Sequence, residues 1–255
     1  MAIRSTPWAA GSPCWVDMAV VDIKGAQRFY GSVLGWTFVD TGERLGHYTL
    51  CTTGSRNVAA LFRPMPGGEP VPWTVYLATQ DLDASVDAVL ANGGTIAAEP
   101  MHIPGVGALA LAVDPCGAVF GMWQETGMIG FGIVDEPGAV VWTEARLTDP
   151  AAGAKFYSAV FGHTHRPVPG AGGDERTIHL GESGEPVGGL SGTADGPSHW
   201  LTSFAVADLD EAVARLTAAG GTVVTPAAPT PFGRAGVYAD PAGVTFALSQ
   251  APAAE

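Results

Sequence analysis

The sequence has few positive charges and no long hydrophobic run. Its 255 residues include 12 lysines and arginines against 25 aspartates and glutamates, which gives a formal net charge of −13. Nucleic acids and anionic membrane surfaces are bound through clustered basic residues, so this balance argues against both as partners. No apolar stretch approaches the roughly 20 residues of a membrane span, and residues 1–13 lack the apolar core of a signal peptide. We therefore expect a soluble, cytoplasmic protein.

Cysteine and histidine are scarce as well. Three cysteines stand far apart without a C-x-x-C motif, which excludes a disulfide framework and a cysteine-rich zinc site: Cys14, Cys51 and Cys116. We expect buried or neutral thiols. Of the six histidines, His163 and His165 alternate along one predicted strand and could join His179 in an unusual metal site. No further ligand stands at a recognisable spacing, and solvent-facing histidines are the commoner alternative.

The sequence does contain an internal duplication, whose copies are offset by 127 positions (142 − 15 = 127). The matches are Trp15 with Trp142, Asp17 with Glu144, Asp22 with Asp149, Phe29-Tyr30 with Phe156-Tyr157, Gly35 with Gly162, Trp73 with Trp200, Asp81 with Asp208, and Gly93-Gly94 with Gly220-Gly221. Nearer the C-terminus the offset falls to 126, because Asp114 matches Asp240 (240 − 114 = 126). These matches predict two modules, residues 12–125 and 139–251, joined by a linker of residues 126–138.

Each module contains two copies of one pattern, a strand followed by a helix and three strands. Residues 15–21 predict a strand, after which Asp22 caps a helix that Gly35 ends. A strand over residues 73–79 leads to a second helix from about Asp83. The residues expected on the inward side of that helix are Val86, Val89 and Leu90. Short strands and helices separated by glycine and proline predict an α+β fold.

Six stretches, three in each module, resemble the vicinal oxygen chelate superfamily: "VVDIKGAQRFYGSVLGW", "LDASVDAVLANGGT", "DPCGAVFGMWQ", "LTDPAAGAKFYSAVFGH", "LDEAVARLTAAGGTV" and "DPAGVTFALSQ". The superfamily includes glyoxalase I, bleomycin-resistance proteins and extradiol dioxygenases. More narrowly, the chain is similar to two-module members labelled glyoxylase or hydroxylase. The resemblance implies that four βαβββ units form two curved mixed sheets, and that the concave sheet faces hold the ligand.

The resemblance also implies four metal-ligand positions on the strands. The three that can be placed are Trp15, Thr74 and Gly121 in the first module and Trp142, Leu201 and Ala247 in the second. The fourth lies within residues 58–62 and 187–191, which contain no histidine or carboxylate. Indole, aliphatic side chains and glycine cannot ligate a metal, and a lone threonine hydroxyl is a poor ligand. We therefore expect no cofactor, although a divalent metal bound through other residues stays open.

In place of metal ligands, the sequence predicts an aromatic cup. Strand alternation puts Tyr76 and Trp123 on the same face as Thr74 and Gly121, and this surface suits a planar organic ligand. Asp17 lies beside Trp15 in the first cup, and Glu144 lies beside Trp142 in the second. A buried acid needs a hydrogen bond, a partner or a proton. Each acid is therefore either a ligand acceptor or general base, or a structural hydrogen bond between the modules.

The sequence also predicts positions for two tryptophans, two aspartates and one arginine. Trp73 and Trp200 point away from the cups and are expected in the core or between the modules. Asp114 and Asp240 are expected to form turns between the last strands. Arg234 precedes the last strand of the second module, where it could pair with an acidic ligand or with Glu144, or could be a surface arginine.

The favoured hypothesis is a metal-free binding protein whose cup holds a small, largely aromatic or hydrophobic molecule. Its role would be sequestration, resistance or an accessory step in secondary metabolism. The alternative is a lyase, isomerase or dioxygenase of the same superfamily, with an unrecognised divalent metal or with Asp17 or Glu144 as the acid–base residue. An interaction module is a third hypothesis. The four units could satisfy each other in a monomer, or could pair in a homodimer.

Overall fold

The computed structural model describes residues 2–65, 67–169, 175–181, 184–193 and 196–252. A short strand, β1 (Ala2–Ile3), precedes the first module. The elements of that module are β2 (Pro13–Ala19), α1 (Ile23–Leu34), β3 (Thr37–Asp40), a 3-10 helix (Glu43–Leu45), β4 (Thr49–Thr53), β5 (Arg56–Phe62), β6 (Val71–Ala78), α2 (Leu82–Ala91), β7 (Thr95–Ile103), β8 (Gly107–Val113) and β9 (Val119–Glu125).

The second module repeats this order of strands and α-helices. Between the modules, β10 (Ile133–Val134) pairs antiparallel with β1. The remaining elements are β11 (Val140–Leu147), α3 (Pro150–Phe161), β12 (His163–Pro167), β13 (Arg176–Leu180), β14 (Pro186–Gly192), β15 (His199–Ala205), α4 (Leu209–Ala218), β16 (Thr222–Thr230), β17 (Gly233–Ala239) and β18 (Thr245–Gln250).

The strands form two eight-stranded mixed sheets, one from each module. Their orders are β3-β4-β5-β2-β6-β9-β8-β7 and β12-β13-β14-β11-β15-β18-β17-β16. In each sheet two βαβββ units meet at a central antiparallel pair, β2 with β6 and β11 with β15. Each unit also closes with a parallel pair, such as β2 with β5 and β6 with β9. The predicted α+β fold of four duplicated units is confirmed.

The helices of both modules begin at aspartate caps. The side chain of Asp22 accepts a hydrogen bond from the backbone of Gly25, and Asp149 caps α3 in the same way. Pro150 occupies the first position of α3. A backbone N–H at this position has no acceptor within the helix, so proline, which lacks the N–H, is tolerated there. These short-range signals fix where the chain leaves the sheet, and therefore which strand residues face the helices.

The second helix departs slightly from its prediction. It begins at Leu82, and its cap is Asp81, two residues before the expected start near Asp83. Leu90, expected to face inward, is 52% exposed, because it follows the buried Val89 and turns to the solvent side of α2. In the described ranges, no helix has both the length and the hydropathy for a membrane crossing.

The two modules exchange a matched pair of buried hydrogen bonds. The hydroxyl of Tyr30 in the first module donates to Asp240 Oδ2 of the second, at 3.1 Å. The hydroxyl of Tyr157 in the second module donates to Asp114 Oδ2 of the first, at 2.9 Å. The other oxygen of each aspartate accepts two backbone N–H groups of its own turn. The aspartates form the predicted turns, and they also join the modules.

Two tryptophans extend these contacts into the core. Trp73 Nε1 donates to the Tyr30 hydroxyl at 3.1 Å, and Trp200 Nε1 donates to the Tyr157 hydroxyl at 2.9 Å. The ring of Trp73 also packs edge-on against Phe204 of the second module, with centroids 5.3 Å apart. The prediction that both tryptophans point away from the cups is confirmed.

The predicted linker lies against the first sheet together with the N-terminal segment. The backbone N–H of Arg4 bonds the carbonyl of Gly132, and the N–H of Gly132 bonds the carbonyl of Asn57 in β5. The N–H of Phe131 bonds the carbonyl of Cys14 in β2. We call residues 2–12 and 126–138 together the strap. The strap covers part of the first sheet as well as connecting the modules.

Candidate ligand-binding site

A cavity of about 890 Å³ lies on the face of the first sheet that is turned away from the helices. Trp15 and Asp17 of β2, Tyr76 of β6 and Trp123 of β9 line it, while Met18 of β2 points to α1 on the other face. Apolar side chains make up most of the remaining wall, among them Leu45, Leu50, Phe62, Ile103, Leu109 and Leu111. The structure therefore brings together four of the residues predicted for the first cup.

A hydrogen-bond network surrounds Asp17 in the buried part of this cavity. Trp15 Nε1 donates to the Tyr48 hydroxyl at 2.8 Å, and that hydroxyl donates to Asp17 Oδ2 at 2.9 Å. The Tyr76 hydroxyl donates to the same oxygen at 3.2 Å. No described residue bonds Asp17 Oδ1. One carboxyl oxygen of Asp17 therefore accepts both tyrosine hydroxyls, and the other has no hydrogen-bond partner among the described residues.

The surroundings of Asp17 change its protonation. Burial raises the pKa of Asp17 to about 7, because the carboxylate loses its hydration, and the hydrogen bonds from Tyr48 and Tyr76 lower the pKa in part. Near neutral pH the carboxyl group is thus present both with and without its proton. It can donate or accept a hydrogen bond, or transfer a proton, at Oδ1.

Tyr48 is the member of this network that the sequence did not reveal. It lies just before β4, where its carbonyl accepts bonds from the backbone and hydroxyl of Thr41 and its ring packs on Phe62 at 5.9 Å. Its alternation with Leu50, which also lines the cavity, was an available signal. A second signal was chemical, because a buried Asp17 requires donors.

Gly121 and Thr74 border the site without lining the cavity. A Cβ added to Gly121 would lie 2.1 Å from the Tyr76 ring, so the space expected for a ligand is filled by that ring. The absence of a side chain at Gly121 is what allows Tyr76 to reach Asp17. Thr74 is buried, and its hydroxyl donates to the carbonyl of Pro72.

The strap supplies another wall of the cavity. Met128, Ile129 and Gly130 line it, and the carbonyl of Met128 accepts a hydrogen bond from Trp123 Nε1 at 2.8 Å. Phe131 packs against Trp15 with centroids 5.8 Å apart. The segment predicted as a linker therefore fixes the orientation of two aromatic rings in the site.

The side chains at the superfamily's metal positions do not fit a divalent ion. The indole nitrogen of Trp15 is a donor already bonded to Tyr48, the Thr74 hydroxyl is bonded to a carbonyl, and Gly121 has no side chain. In the part of the chain that the structure describes, no group of three or more His, Cys, Asp or Glu residues is placed to hold a metal.

The histidines considered as an unusual metal site are bonded separately. His163 Nε2 lies 2.8 Å from the carbonyl of Gly11 in the strap. His179 lies between the hydroxyl of Thr177 and the carbonyl of Gly184, at 2.7 Å from each. Among the residues that the structure describes, these histidines do not form a group with His165 that is placed to hold a metal.

The second cup has diverged from the first. Trp142 stacks on Phe232 with centroids 5.7 Å apart, and Glu144 Oε2 is held by Arg146 Nε at 3.0 Å. The positions of Tyr76 and Trp123 are taken by Ser203 (76 + 127) and Ser249 (123 + 126). Glu144 thus has an ionic partner where Asp17 has two tyrosines, and the two acids are not equivalent.

The other three residues predicted for the second cup lie in its sheet, on β15, β18 and β17. Leu201 and Ala247 are buried in the sheet. Arg234 makes two hydrogen bonds to Asp210 of α4, and both side chains are exposed. Because Arg234 corresponds to Ala108 (234 − 126), which is buried and does not line the cavity, it lies on the helix side of its sheet. The surface-arginine alternative is the one observed.

The fold and the cavity define a tandem glyoxalase-type protein, and the chain belongs to the glyoxalase/bleomycin resistance protein/dioxygenase superfamily. The family model with that description matches residues 14–122, and a model described as a glyoxalase-like domain matches residues 142–249. "Putative glyoxylase CFP32" from Mycobacterium tuberculosis is 35% identical over 253 residues, covering 96% of this chain and 97% of the relative. "Anthracycline biosynthesis protein DnrV" from Streptomyces peucetius is 34% identical over 261 residues, covering 95% and 94%.

Solved structures show the same fold at lower identity. The Mn(II)-bound glyoxalase from Novosphingobium aromaticivorans has a TM-score of 0.67 and 17% identity, covering 94% of this chain and 82% of its own. The 2,3-dioxygenase LapB from Pseudomonas sp. KL28 has a TM-score of 0.66 and 14% identity, covering 96% and 93%. At these identities the likeness concerns the fold alone.

Proposed function

We propose that the protein binds a small, largely aromatic molecule in the cavity of the first module, without a metal ion. The observation that carries this proposal is the cavity itself, with the Trp15–Tyr48–Asp17–Tyr76 network at the place where metal-dependent relatives of the fold hold their ion. A protein of this kind would sequester the compound, confer resistance to it, or present it to an enzyme. The alternative of an interaction module has no comparable support.

The size and walls of the cavity favour a planar ligand. Its volume of about 890 Å³ is near the upper end of the range for small-molecule sites. Trp15, Phe62 and Trp123 offer ring surfaces, and most other wall residues are aliphatic. The relative named as an anthracycline biosynthesis protein supports the same ligand class, because anthracyclines are planar polycyclic aromatic compounds.

Isothermal titration calorimetry with a panel of polycyclic aromatic compounds, including an anthracycline aglycone, tests this proposal. We expect saturable binding to the wild type and a loss of at least tenfold in affinity for Ala98→Trp, which fills the cavity from β7. The matched control is Thr225→Trp, at the corresponding position of the second module (98 + 127 = 225). Wild-type affinity in this control would assign the ligand to the first cavity.

Two results would contradict the proposal. If no compound of the panel binds the wild-type protein, the binding function is wrong. If Thr225→Trp loses binding while Ala98→Trp retains it, the ligand occupies the second module instead.

One observation favours a second candidate function, metal-free proton transfer by Asp17. A general acid or base works best when its pKa is close to the working pH. The pKa of Asp17, which lines the cavity, is raised to about 7, and its Oδ1 has no hydrogen-bond partner among the described residues. The test is deuterium exchange: a ligand found by calorimetry is incubated in D₂O with the wild type and with Asp17→Asn, and followed by NMR. Exchange with the wild type alone would support catalysis. Equal exchange with both proteins, or none, would contradict it.

A further inference from the structure

Basic residues are concentrated at the rim of the first cavity. Three of the 12 lysines and arginines line it, namely Arg4, Arg44 and Arg56. In the described chain, Asp17 is the only carboxyl group that lines the same cavity, and it is buried while Arg44 and Arg56 are exposed. A protein with a net charge of −13 therefore has a local excess of positive charge at one apolar opening.

The three arginines come from separate parts of the chain. Arg4 follows β1 in the strap, and its guanidinium is held by the carbonyls of Thr6 and Pro7 and lies 4.0 Å from the Trp8 ring centre. Arg56 is the first residue of β5 and lies beside Gly132 of the strap: a Cβ added to Gly132 would be 3.6 Å from the Cβ of Arg56. Arg44 lies in the 3-10 helix. The fold, and not a basic sequence motif, assembles this rim.

Arg44 and Arg56 have no ion pair or side-chain hydrogen bond with any described residue. Elsewhere in the molecule, Arg146, Arg215 and Arg234 each pair with a carboxylate. Guanidinium groups bind carboxylates and phosphates through charged hydrogen bonds, and opposite charge at a cleft mouth attracts a ligand from solution. Two unpaired arginines beside an apolar cavity are thus suited to an anion that comes from outside.

The buried end of the cavity has the opposite preference. Asp17 Oδ2 already accepts two tyrosine hydroxyls, and an anion placed beside a buried carboxyl would meet repulsion without water to screen it. A neutral hydroxyl group can bond Oδ1 in either protonation state, because it donates to the carboxylate or accepts from the protonated carboxyl group, and a carbonyl group can accept from the protonated form. The rim of the cavity therefore favours an anionic group of a ligand, and the buried end favours a neutral polar group.

We infer that the ligand is an aromatic acid, whose anionic carboxylate or phosphate lies at the rim with Arg44, Arg56 and Arg4, and whose neutral polar end faces Asp17. This inference rests on the proposed binding function and specifies its ligand class. It also assigns a specificity role to the rim, which selects acids over neutral compounds with the same ring system.

Two fluorescent probes with the same rings test this inference: anilinonaphthalene sulfonate, an anion, and N-phenylnaphthylamine, its neutral parent. We expect the wild type to bind the anion more tightly. In the double variant Arg44→Gln/Arg56→Gln, affinity for the anion should fall about tenfold, as expected for two partly exposed charge contacts, and affinity for the neutral probe should stay the same. Displacement of the anionic probe by naphthoate or by naphthyl phosphate then distinguishes a carboxylate from a phosphate ligand.

Arg63→Gln is the matched control, since Arg63 is exposed just after β5 and does not line the cavity. It removes the same charge and should leave both affinities unchanged. The inference is wrong if the anion and the neutral probe bind equally, or if Arg63→Gln weakens the anion as much as the double variant does. Failure of both probes to bind, together with failure of the aromatic panel, would instead overturn the proposed function.

Discussion

Replacing Asp17 with asparagine is expected to raise the free energy of unfolding by roughly 2–4 kcal/mol at pH 8 and to change it little at pH 4. Burial holds the pKa of Asp17 at about 7 in the folded protein, against 3.8 for an ordinary aspartate. The folded state therefore binds the proton more tightly than the unfolded chain does. The stability contributed by protonated Asp17 is complete below about pH 4 and is lost as the pH rises through 7.

Asparagine remains neutral throughout this range, and its amide oxygen can accept the two tyrosine hydroxyls. Urea denaturation of both proteins at pH 4, 6 and 8 measures the effect, and the difference should grow with pH. Glu144→Gln is the matched control, because Glu144 has Arg146 as an ionic partner and its removal should not stabilise the protein. If Asp17→Asn destabilises the protein equally at all three pH values, the carboxyl is a structural hydrogen-bond acceptor and not a charge kept at the expense of stability.

Replacing Asp240 with alanine is expected to lower the free energy of unfolding by about 3 kcal/mol. The substitution removes two bonds from the backbone of Ala242 and Val244, and it leaves the buried Tyr30 hydroxyl with only Met18 Sδ, a weak acceptor 4.0 Å away. Each hydrogen bond contributes about 1 kcal/mol, and a poorly satisfied buried hydroxyl adds to the loss. Chemical denaturation monitored by circular dichroism measures the change.

Two further variants distinguish the contribution of the Asp240 turn to stability from that of the contact between the modules. Tyr30→Phe leaves the turn intact but removes both the bond to Asp240 and the acceptor of the buried Trp73 Nε1, and should cost about 2 kcal/mol. The double variant with Asp240→Ala should cost less than the sum of both. Asp208→Ala, which removes the exposed cap of α4 in the same module, should cost about 1 kcal/mol. Equal effects of Asp208→Ala and Asp240→Ala would mean that the bond to Tyr30 contributes nothing.

The repeat predicted most of the fold. Aspartate caps, glycine stops and the constant offset mark where elements begin and end, and strand alternation then decides which residues share a face. For this reason the sequence alone predicts that Trp15, Asp17, Tyr76 and Trp123 share one face, and that Trp73 and Trp200 lie in the core. These inferences depend on helix caps and strand alternation, which can be read from residues close together in the sequence.

Contacts between residues far apart in the sequence could not be predicted in this way. Tyr48 reaches Asp17 from a connection whose path depends on tertiary contacts, and Arg4 reaches the cavity only because β1 pairs with β10. The sequence shows that Gly121 leaves space on the cup face of the sheet, but it does not show that the ring of the neighbouring Tyr76 fills this space. Pattern matching assigns positions on strands, whereas the partners of a buried group depend on parts of the chain far away in sequence.

The hydrogen bonds exchanged by Tyr30 with Asp240 and by Tyr157 with Asp114 have a consequence for how such a protein can evolve. Two copies of a single-module ancestor, related by a two-fold axis, would make the same tyrosine–aspartate contact twice, as an isologous dimer requires. In that dimer every substitution in one cup would also appear in the other. Gene fusion ends this constraint, so the residues around Asp17 and those around Glu144 could diverge independently.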